Sequence, residues 1–377
     1  LVFGGKVQKT IKEAFEAFDI RGEFDCAKRC GNGNINNTYH ITAREEGVLH
    51  NYIFQRINTS VFTEPDKLMH NLVRVVNHHR GALAKCGVED LHKRVLTVFT
   101  TRRGDYFYTD SSGNCWRCHL FIDGKTHESL DDPEKLFNVA YAYGSFISHM
   151  EDFEEDLHET IPNFHDGRWR LRQLEQASRE DRADRLASVQ DWVDFIFENS
   201  SDLISLQEKI DSGIIPIRIT HNDAKINNVI LDRDTGRPLC VIDLDTVMKG
   251  SVLFDFGDMI RSAANTVSEE SPELSCSASL DIKRFESLLE GFMQAGSDVL
   301  VSSEIEHINQ ATRLLSLMIG TRFLTDYLNG DVYFKIRWED HNLTRALNNL
   351  HLYKSIKNQS DQIDKLIRKY APACRLA

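Results

Sequence analysis

Two runs in residues 36–58, NTYHITA and NYIFQRIN, are rich in β-branched and aromatic residues and flank a short polar stretch, a pattern that predicts two β-strands. Behind Pro65 the apolar residues Leu68, Leu72, Val75 and Val76 recur at helical spacing, which predicts a helix over residues 65–85. RVLTVFT, DYFYTD and CWRCHLFI then return to strand-like runs, punctuated by Arg103-Gly104 and Ser112-Gly113. Past Ile122 the pattern turns helical. Pro133-Glu134 opens the stripe Leu136, Val139, Ala140, Tyr143 and Ile147, and helical patterns also fit residues 180–209, 282–293, 305–328 and 341–370. Only residues 214–220, 229–231 and 239–242 read as short strands among them. The pattern predicts an α+β chain with a small β-rich N-terminal lobe, residues 1–122, and a larger, mainly helical C-terminal lobe, residues 123–377. A chain so divided implies a ligand cleft between its lobes.

Composition narrows what such a chain does. Of its 377 residues, 45 are Lys or Arg and 57 are Asp or Glu, a formal charge of −12. That excess argues against a phosphate backbone as the main partner, so no nucleic acid is expected, although a few placed cations suffice for one bound nucleotide. No apolar run approaches the roughly 20 residues of a membrane span, and the opening LVFGGKVQKT lacks the regions of a signal peptide, so the expectation is a cytoplasmic monomer without a membrane partner. Eight scattered cysteines suit reduced thiols better than a disulfide scaffold. Cys115-Trp116-Arg117-Cys118 forms one C-x-x-C, but no second pair at zinc-binding spacing accompanies it.

The most informative stretch is His221-Asn222-Asp223-Ala224-Lys225-Ile226-Asn227-Asn228, followed by the apolar run 239–242 and Asp243. In kinase-type phosphoryl transfer a loop Asp accepts the proton of the acceptor hydroxyl, an Asn holds Mg²⁺, and a later Asp holds metal across the phosphates. Asp223 and Asn228 at the two ends of one tight loop can face acceptor and metal respectively. An isolated Asp–Asn pair is more often a turn or cap, but that reading would have to cover His221, Asp223, Lys225, Asn228 and a strand-borne acid together. For the second acid the tripeptide Asp255-Phe256-Gly257 competes with Asp243. Asp243 directly ends a strand-like run, whereas Asp255 lies in the helix-like VLFDFGDMIRSA, so Asp243 is the expected metal ligand and Asp255 a bracing acid. Asp245 stands close enough in sequence to touch the metal as well.

Upstream, Gly31, Gly33 and Asn34 belong to a glycine-rich turn before a strand, where a backbone without Cβ atoms can approach phosphates; a plain hairpin turn is the competing reading. Gly124-Lys125-Thr126 lacks the earlier glycine of a phosphate-binding loop, since His119 stands there. Arg56, or Gln55, occupies the place of the phosphate-pairing lysine of kinases, with a solvated strand-end arginine as the alternative. Phe121 and Ile122, at the crossing between the lobes, are positioned to offer backbone groups to adenine, although an apolar strand end is equally expected for packing.

Four segments carry a resemblance over nearly the whole length: G-x-G-x-I-N-x-T at 31–38, Y-I-F-Q-R-I-N at 52–58, H-N-D-x-K-I-N-N-V at 221–229, and R-F-L-T-D-Y-L-x-G-D-V-Y-F at 322–334. The chain resembles the aminoglycoside phosphotransferase and choline kinase superfamily, and within it most the bacterial N-acetylhexosamine 1-kinases. The resemblance implies a bilobal protein-kinase-like fold and an ATP- and Mg²⁺-dependent kinase that phosphorylates the anomeric hydroxyl of N-acetylglucosamine or N-acetylgalactosamine. It implies Asp223 as base and acceptor contact, Lys225 on the transferred phosphate, Asn228 and Asp243 on Mg²⁺, and Arg322 and Tyr333 on the sugar. A bland alternative for Arg322 is an ion pair with Asp326, four residues on along one helix face. Other readings are a kinase of a different small alcohol, such as another sugar, homoserine, choline or an aminoglycoside, and a non-catalytic nucleotide-binding module.

Overall fold

The computed structural model describes residues 5–31 and 35–371. The chain divides into two compact units. The first takes in residues up to Gly124 together with 153–161 and 239–248, and the second takes the rest.

The first unit opens with helix α1 (Gly5–Ala17), followed by strands β1 (Glu23–Cys30), β2 (Asn37–Glu45) and β3 (Val48–Ile57). Helices α2 (Pro65–Lys85) and α3 (Leu91–Arg94) lead to strands β4 (Val98–Phe99), β5 (Tyr108–Thr109) and β6 (Cys115–Leu120). The strands form one antiparallel sheet in the order β1-β2-β3-β6-β4, with β5 also on β6. Glu46 and Gly47, both at positive φ (49° and 85°), make the two-residue turn between β2 and β3, whose register closes on Glu45 opposite Val48. One face of the sheet carries Tyr39, Ile41, Ala43, Tyr52, Phe54, Trp116 and Cys118 against Ile11, Ala14 and Phe15 of α1 and Phe18 just after it. Period-2 alternation supplies these residues from the strands and period-3.6 spacing supplies them from the helix. The pattern 36–58 and the helix behind Pro65 are present as predicted, and Leu68, Leu72, Val75 and Val76 are buried. Helix α1 and strand β1 were not anticipated, because EFDCAKRC alternates without a hydrophobic face. Cys115 and Cys118 are buried in β6, with Cys118 in the core, where burial pushes its thiol pKa well up.

The second unit is mainly helical: α4 (Pro133–His149), α5 (Gly167–Glu180), α6 (Leu186–Glu198), α7 (Ser200–Asp211), two short strands β7 (Arg218–Thr220) and β8 (Val229–Leu231), then α8 (Val252–Ala263), α9 (Ile282–Ala295), α10 (Ser302–Glu306), α11 (Ile308–Leu328), α12 (His341–Asn358) and α13 (Ser360–Tyr370). Helix α4 starts as its sequence dictates, with Pro133 in the first turn and the Asp132 side chain accepting from the N–H groups of Glu134 and Lys135. Helix α11 is buried along nearly its whole length, and α8 packs on it so closely that a Cβ on Gly257 would come 2.4 Å from the Ala311 carbonyl oxygen. The helical pattern expected over 180–209 begins only at Leu186, because Asp181 is left-handed (φ 36°) and its carboxylate caps the N–H groups of Arg185 and Leu186, and it is divided at Asn199 into α6 and α7. No helix among the described residues is long and apolar enough to cross a membrane.

Candidate active site

Within the second unit, the loop after β7 is fixed from three sides. Asp255, in the first turn of α8, accepts the backbone N–H groups of His221 (2.8 Å) and Asn222 (2.6 Å). The N–H of Ile226 donates to Ser262 of the same helix at 3.2 Å, and the Tyr143 hydroxyl of α4 donates to the Lys225 carbonyl at 2.7 Å. The rings of Tyr143 and Phe146 stand edge-on to the buried His221 imidazole. Asp255 therefore braces the loop through two backbone groups. Burial pushes its carboxyl up to about 6, although His221 and the two N–H groups act in the opposite sense.

The loop itself is strained where it matters. Asn222 is left-handed (φ 62°), a conformation Asn tolerates better than most residues, and it turns the chain into Asp223. A Cβ on Gly250 would lie 2.4 Å from Thr220 Oγ1 and 2.5 Å from Asn222 Oδ1, so only glycine lets that segment pass. Sequence reading did not single out Gly250; nothing in its neighbours marks it.

Asp223, Lys225 and Asn228 meet in the structure. Lys225 Nζ lies 2.9 Å from Asp223 Oδ2, and Asn228 Nδ2 donates to the Asp223 carbonyl (2.9 Å) and to Oδ2 (3.2 Å). The Asp223 side chain is about a quarter exposed, at 27%. Desolvation raises its pKa, but the Lys225 ammonium, with His221 and Arg261, outweighs that and holds the carboxyl below the ordinary range, so it is ionised at neutral pH. Behind it, the buried Asp258 pairs with Arg261 (2.7–2.8 Å). Burial, with the nearby Asp223 charge, raises the Asp258 pKa.

A second group of residues gathers near Asn222. His165 Nε2 meets the Asn222 carbonyl at 2.9 Å and its ring stacks on Phe254 at 4.8 Å. Arg322 of α11 lies among rings, 5.1 Å from Phe164, 5.5 Å from Phe334 and 6.0 Å from Tyr333. Asp326 is not its ion-pair partner. The Asp326 carboxylate accepts the N–H groups of Val332 (3.0 Å), Tyr333 (2.8 Å) and Phe334 (2.9 Å) and the Asn342 amide (2.9 Å), which fixes the loop bearing Tyr333. The structure thus brings Arg322 and Tyr333 together, and in place of the alternative ion pair it makes Asp326 a loop-capping carboxylate.

Within the first unit, Asp243 is left-handed (φ 60°, ψ 52°) just after the strand Pro238–Val241. Asp245, two residues on, is buried and paired with the buried Arg117, and it accepts from Asn36 Nδ2 at 2.7 Å. Arg117 Nε donates to Gln55 at 2.9 Å. Asp245 is thus engaged by protein groups rather than poised for metal. Strand parity also decides between Gln55 and Arg56. Arg56 shares the sheet face of Tyr52 and Phe54, which α1 covers, and donates to Asn114 at 3.4 Å. Gln55 lies on the opposite face with Arg117 and Asp245, and so the cation that meets Gln55 there is Arg117, which sequence reading missed. Gly31 has φ 75° and open space where a Cβ would stand; Gly33 and Asn34 lie outside the described residues. Phe121 stacks on His40 at 4.5 Å and its N–H is committed to the Asn51 carbonyl (3.1 Å), so that N–H is taken; Ile122 is buried.

No group of three or more His, Cys, Asp or Glu side chains placed to hold a metal occurs among the described residues. Mg²⁺ needs less, since it takes one or two protein oxygens along with water and substrate phosphates. Within the second unit the donor chemistry fits: Asn228 commits its amide nitrogen to Asp223, which leaves its amide oxygen as the oxygen donor.

Residues 27–282 match the phosphotransferase enzyme family, which is more than half of the chain. The chain belongs to this family and is a phosphotransferase with an alcohol group as acceptor. Among solved structures, an aminoglycoside phosphotransferase from Alicyclobacillus acidocaldarius is similar at 14% identity and TM-score 0.60, over 95% of this chain and 96% of that one. A choline kinase from Cryptosporidium parvum is similar at 12% identity and TM-score 0.57, over 89% and 90%. A spectinomycin phosphotransferase in complex with ADP and spectinomycin is similar at 12% identity and TM-score 0.55, over 94% and 98%. These likenesses establish the protein-kinase-like fold.

Proposed function

We propose that the chain transfers the γ-phosphoryl group of ATP to the anomeric hydroxyl of an N-acetylhexosamine, N-acetylglucosamine or N-acetylgalactosamine, as a cytoplasmic monomer. The observation that carries the phosphotransfer is the ionised Asp223 held between Lys225 and Asn228 on a braced loop. The resemblance in residues 31–38, 52–58, 221–229 and 322–334 supports the sugar, as does an Arg322 guanidinium with rings rather than a carboxylate around it.

In this reading the Asp223 carboxylate takes the proton of the acceptor hydroxyl as its oxygen attacks the γ-phosphorus, and ADP departs. Lys225 meets the transferred phosphoryl oxygens, where a fixed charge is worth most as charge redistributes. Mg²⁺, held by Asn228 and Asp243, would neutralise charge on the phosphate oxygens. Gly31, with Gly33 and Asn34, covers the remaining phosphates, and Ile122 with the Phe121 carbonyl meets adenine. Arg322 and Tyr333 hold sugar hydroxyls. ATP consumption against a panel of sugars, amino alcohols and aminoglycosides, with the phosphate position in the product fixed by ³¹P NMR, tests the reading. A 1-phosphate of an N-acetylhexosamine supports it, and turnover restricted to choline or an aminoglycoside refutes it.

A further inference from the structure

Two buried polar atoms beside the Asp223 loop have no hydrogen-bond partner: Nδ1 of His165 and Nε of Arg170. Buried polar atoms are almost always paired, so an orphan in a site asks for a ligand. Both residues are otherwise anchored. His165, more than nine-tenths buried, is fixed by Asn222 and Phe254, while Arg170 donates through Nη1 to Gln173 (2.8 Å) and through Nη2 to the Phe164 carbonyl (2.7 Å).

The two orphans differ in kind. Burial, with Arg322 and Arg170 nearby, lowers the His165 pKa to about 3, so the ring is neutral; its Nε2 faces a carbonyl and carries the proton, which leaves Nδ1 a lone pair. Nε of Arg170 is an N–H donor. One acceptor and one donor match the hydroxyl groups of a polyol. The electrostatics narrow the choice further. Arg170 and Arg322 both stand against Phe164, Arg170 through the carbonyl and Arg322 over the ring at 5.1 Å, so two guanidinium groups crowd one spot and disfavour a third cation; burial first, and Arg322 with it, lowers the Arg170 pKa to about 9. The carboxylates that act on these groups are Asp223, ion-paired with Lys225, and Asp166, which caps α5 and bonds Arg168.

We propose that His165 Nδ1 and Arg170 Nε contact the acceptor substrate, and that the Arg170–Arg322 pair restricts it to a neutral polyhydroxyl compound and rejects ammonium acceptors. The proposal rests on the phosphotransferase reading of Asp223 and assigns two contacts beyond it.

The test uses the full chain with N-acetylglucosamine, glucose, choline and kanamycin as acceptors. The wild type turns over a neutral sugar and neither cationic compound. His165→Gln keeps an amide N–H for Asn222 but has no atom at Nδ1, and it raises the acceptor KM about 5–10-fold; Arg170→Lys keeps the charge, loses Nε and raises it about 10–100-fold. The KM for ATP stays within about twofold in both. Circular dichroism checks the fold, and should His165→Gln fail that check, Arg170→Lys, at the less buried of the two residues, decides. Unchanged acceptor KM in a folded Arg170→Lys, or a wild type that prefers choline or kanamycin, overturns the proposal. Turnover of glucose alone would instead refute the N-acetylhexosamine reading, and the same two variants would then be scored with glucose.

Discussion

Replacing Asp255 with asparagine should change how stability depends on pH, and the structure sets both sign and size. The wild-type carboxyl is 1% exposed and titrates near 6 in the folded protein against 3.8 in an open chain. A folded-state pKa raised in this way means that the native protein binds the extra proton, so stability is fullest below pH 4 and falls as pH climbs through 6. The full fall is about 3 kcal/mol, of which about half lies between pH 5 and pH 8. Asparagine does not titrate, and it offers one oxygen to the two N–H groups of His221 and Asn222. One of these buried donors is left facing an amide NH₂, at a cost of about 1–3 kcal/mol. The variant should therefore be the less stable protein at pH 5, and its deficit should shrink by about 1–2 kcal/mol by pH 8. Urea melts of both proteins at pH 5, 6, 7 and 8 measure this directly. A difference that stays constant, or widens toward pH 8, would refute the argument that burial raises the Asp255 pKa in the folded protein.

Asp223→Asn should fold and bind ATP normally while kcat falls about 10²–10⁴-fold, since only the proton acceptor is lost; calorimetric ATP titration alongside single-turnover kinetics separates the two. Because the Asp223 pKa is depressed, the acid limb of kcat/KM in the wild type should fall below the ordinary carboxylate range, and a limb near pH 6 would contradict it. Gly250→Ala forces a Cβ against Thr220 and Asn222 and should cost about 1–3 kcal/mol in a urea melt, with kcat reduced as Asn222 shifts. Arg322→Ala should raise the acceptor KM about 10–100-fold and leave the KM for ATP unchanged, whereas a lower melting temperature with normal acceptor kinetics would reduce Arg322 to a packing residue.

What was legible in the chain follows from where the information is local. The β2–β3 hairpin and α2 declare themselves by period, and the loop from His221 to Asn228 by its residue types, because in each case neighbours in sequence are neighbours in space. Asp243 was separable from Asp255 for the same reason: one follows a strand and the other sits in a helix. The fate of Asp326 was not legible. Its spacing from Arg322 suggested an ion pair, but the carboxylate turned toward three N–H groups six to eight residues ahead, which only the path of the following loop determines. Arg56 failed on parity, since a one-residue step along β3 reverses the face, and only the position of α1 says which face is covered. Arg117 was hidden because its partner lies 128 residues away.

That distance has a consequence for the order in which the protein assembles. The first unit is built from three separate stretches, and the last of them, 239–248, carries Asp245. A nascent chain that has reached Gly124 holds every strand of the six-stranded sheet, yet Arg117 is still without its counter-charge and Asn36 without its acceptor. An uncompensated buried guanidinium costs about 3–5 kcal/mol, a large share of what a small sheet with one covering helix can supply. The sheet must then stay loose on the ribosome until roughly 120 further residues have emerged, and a fragment cut at Gly124 should not hold its native packing by itself.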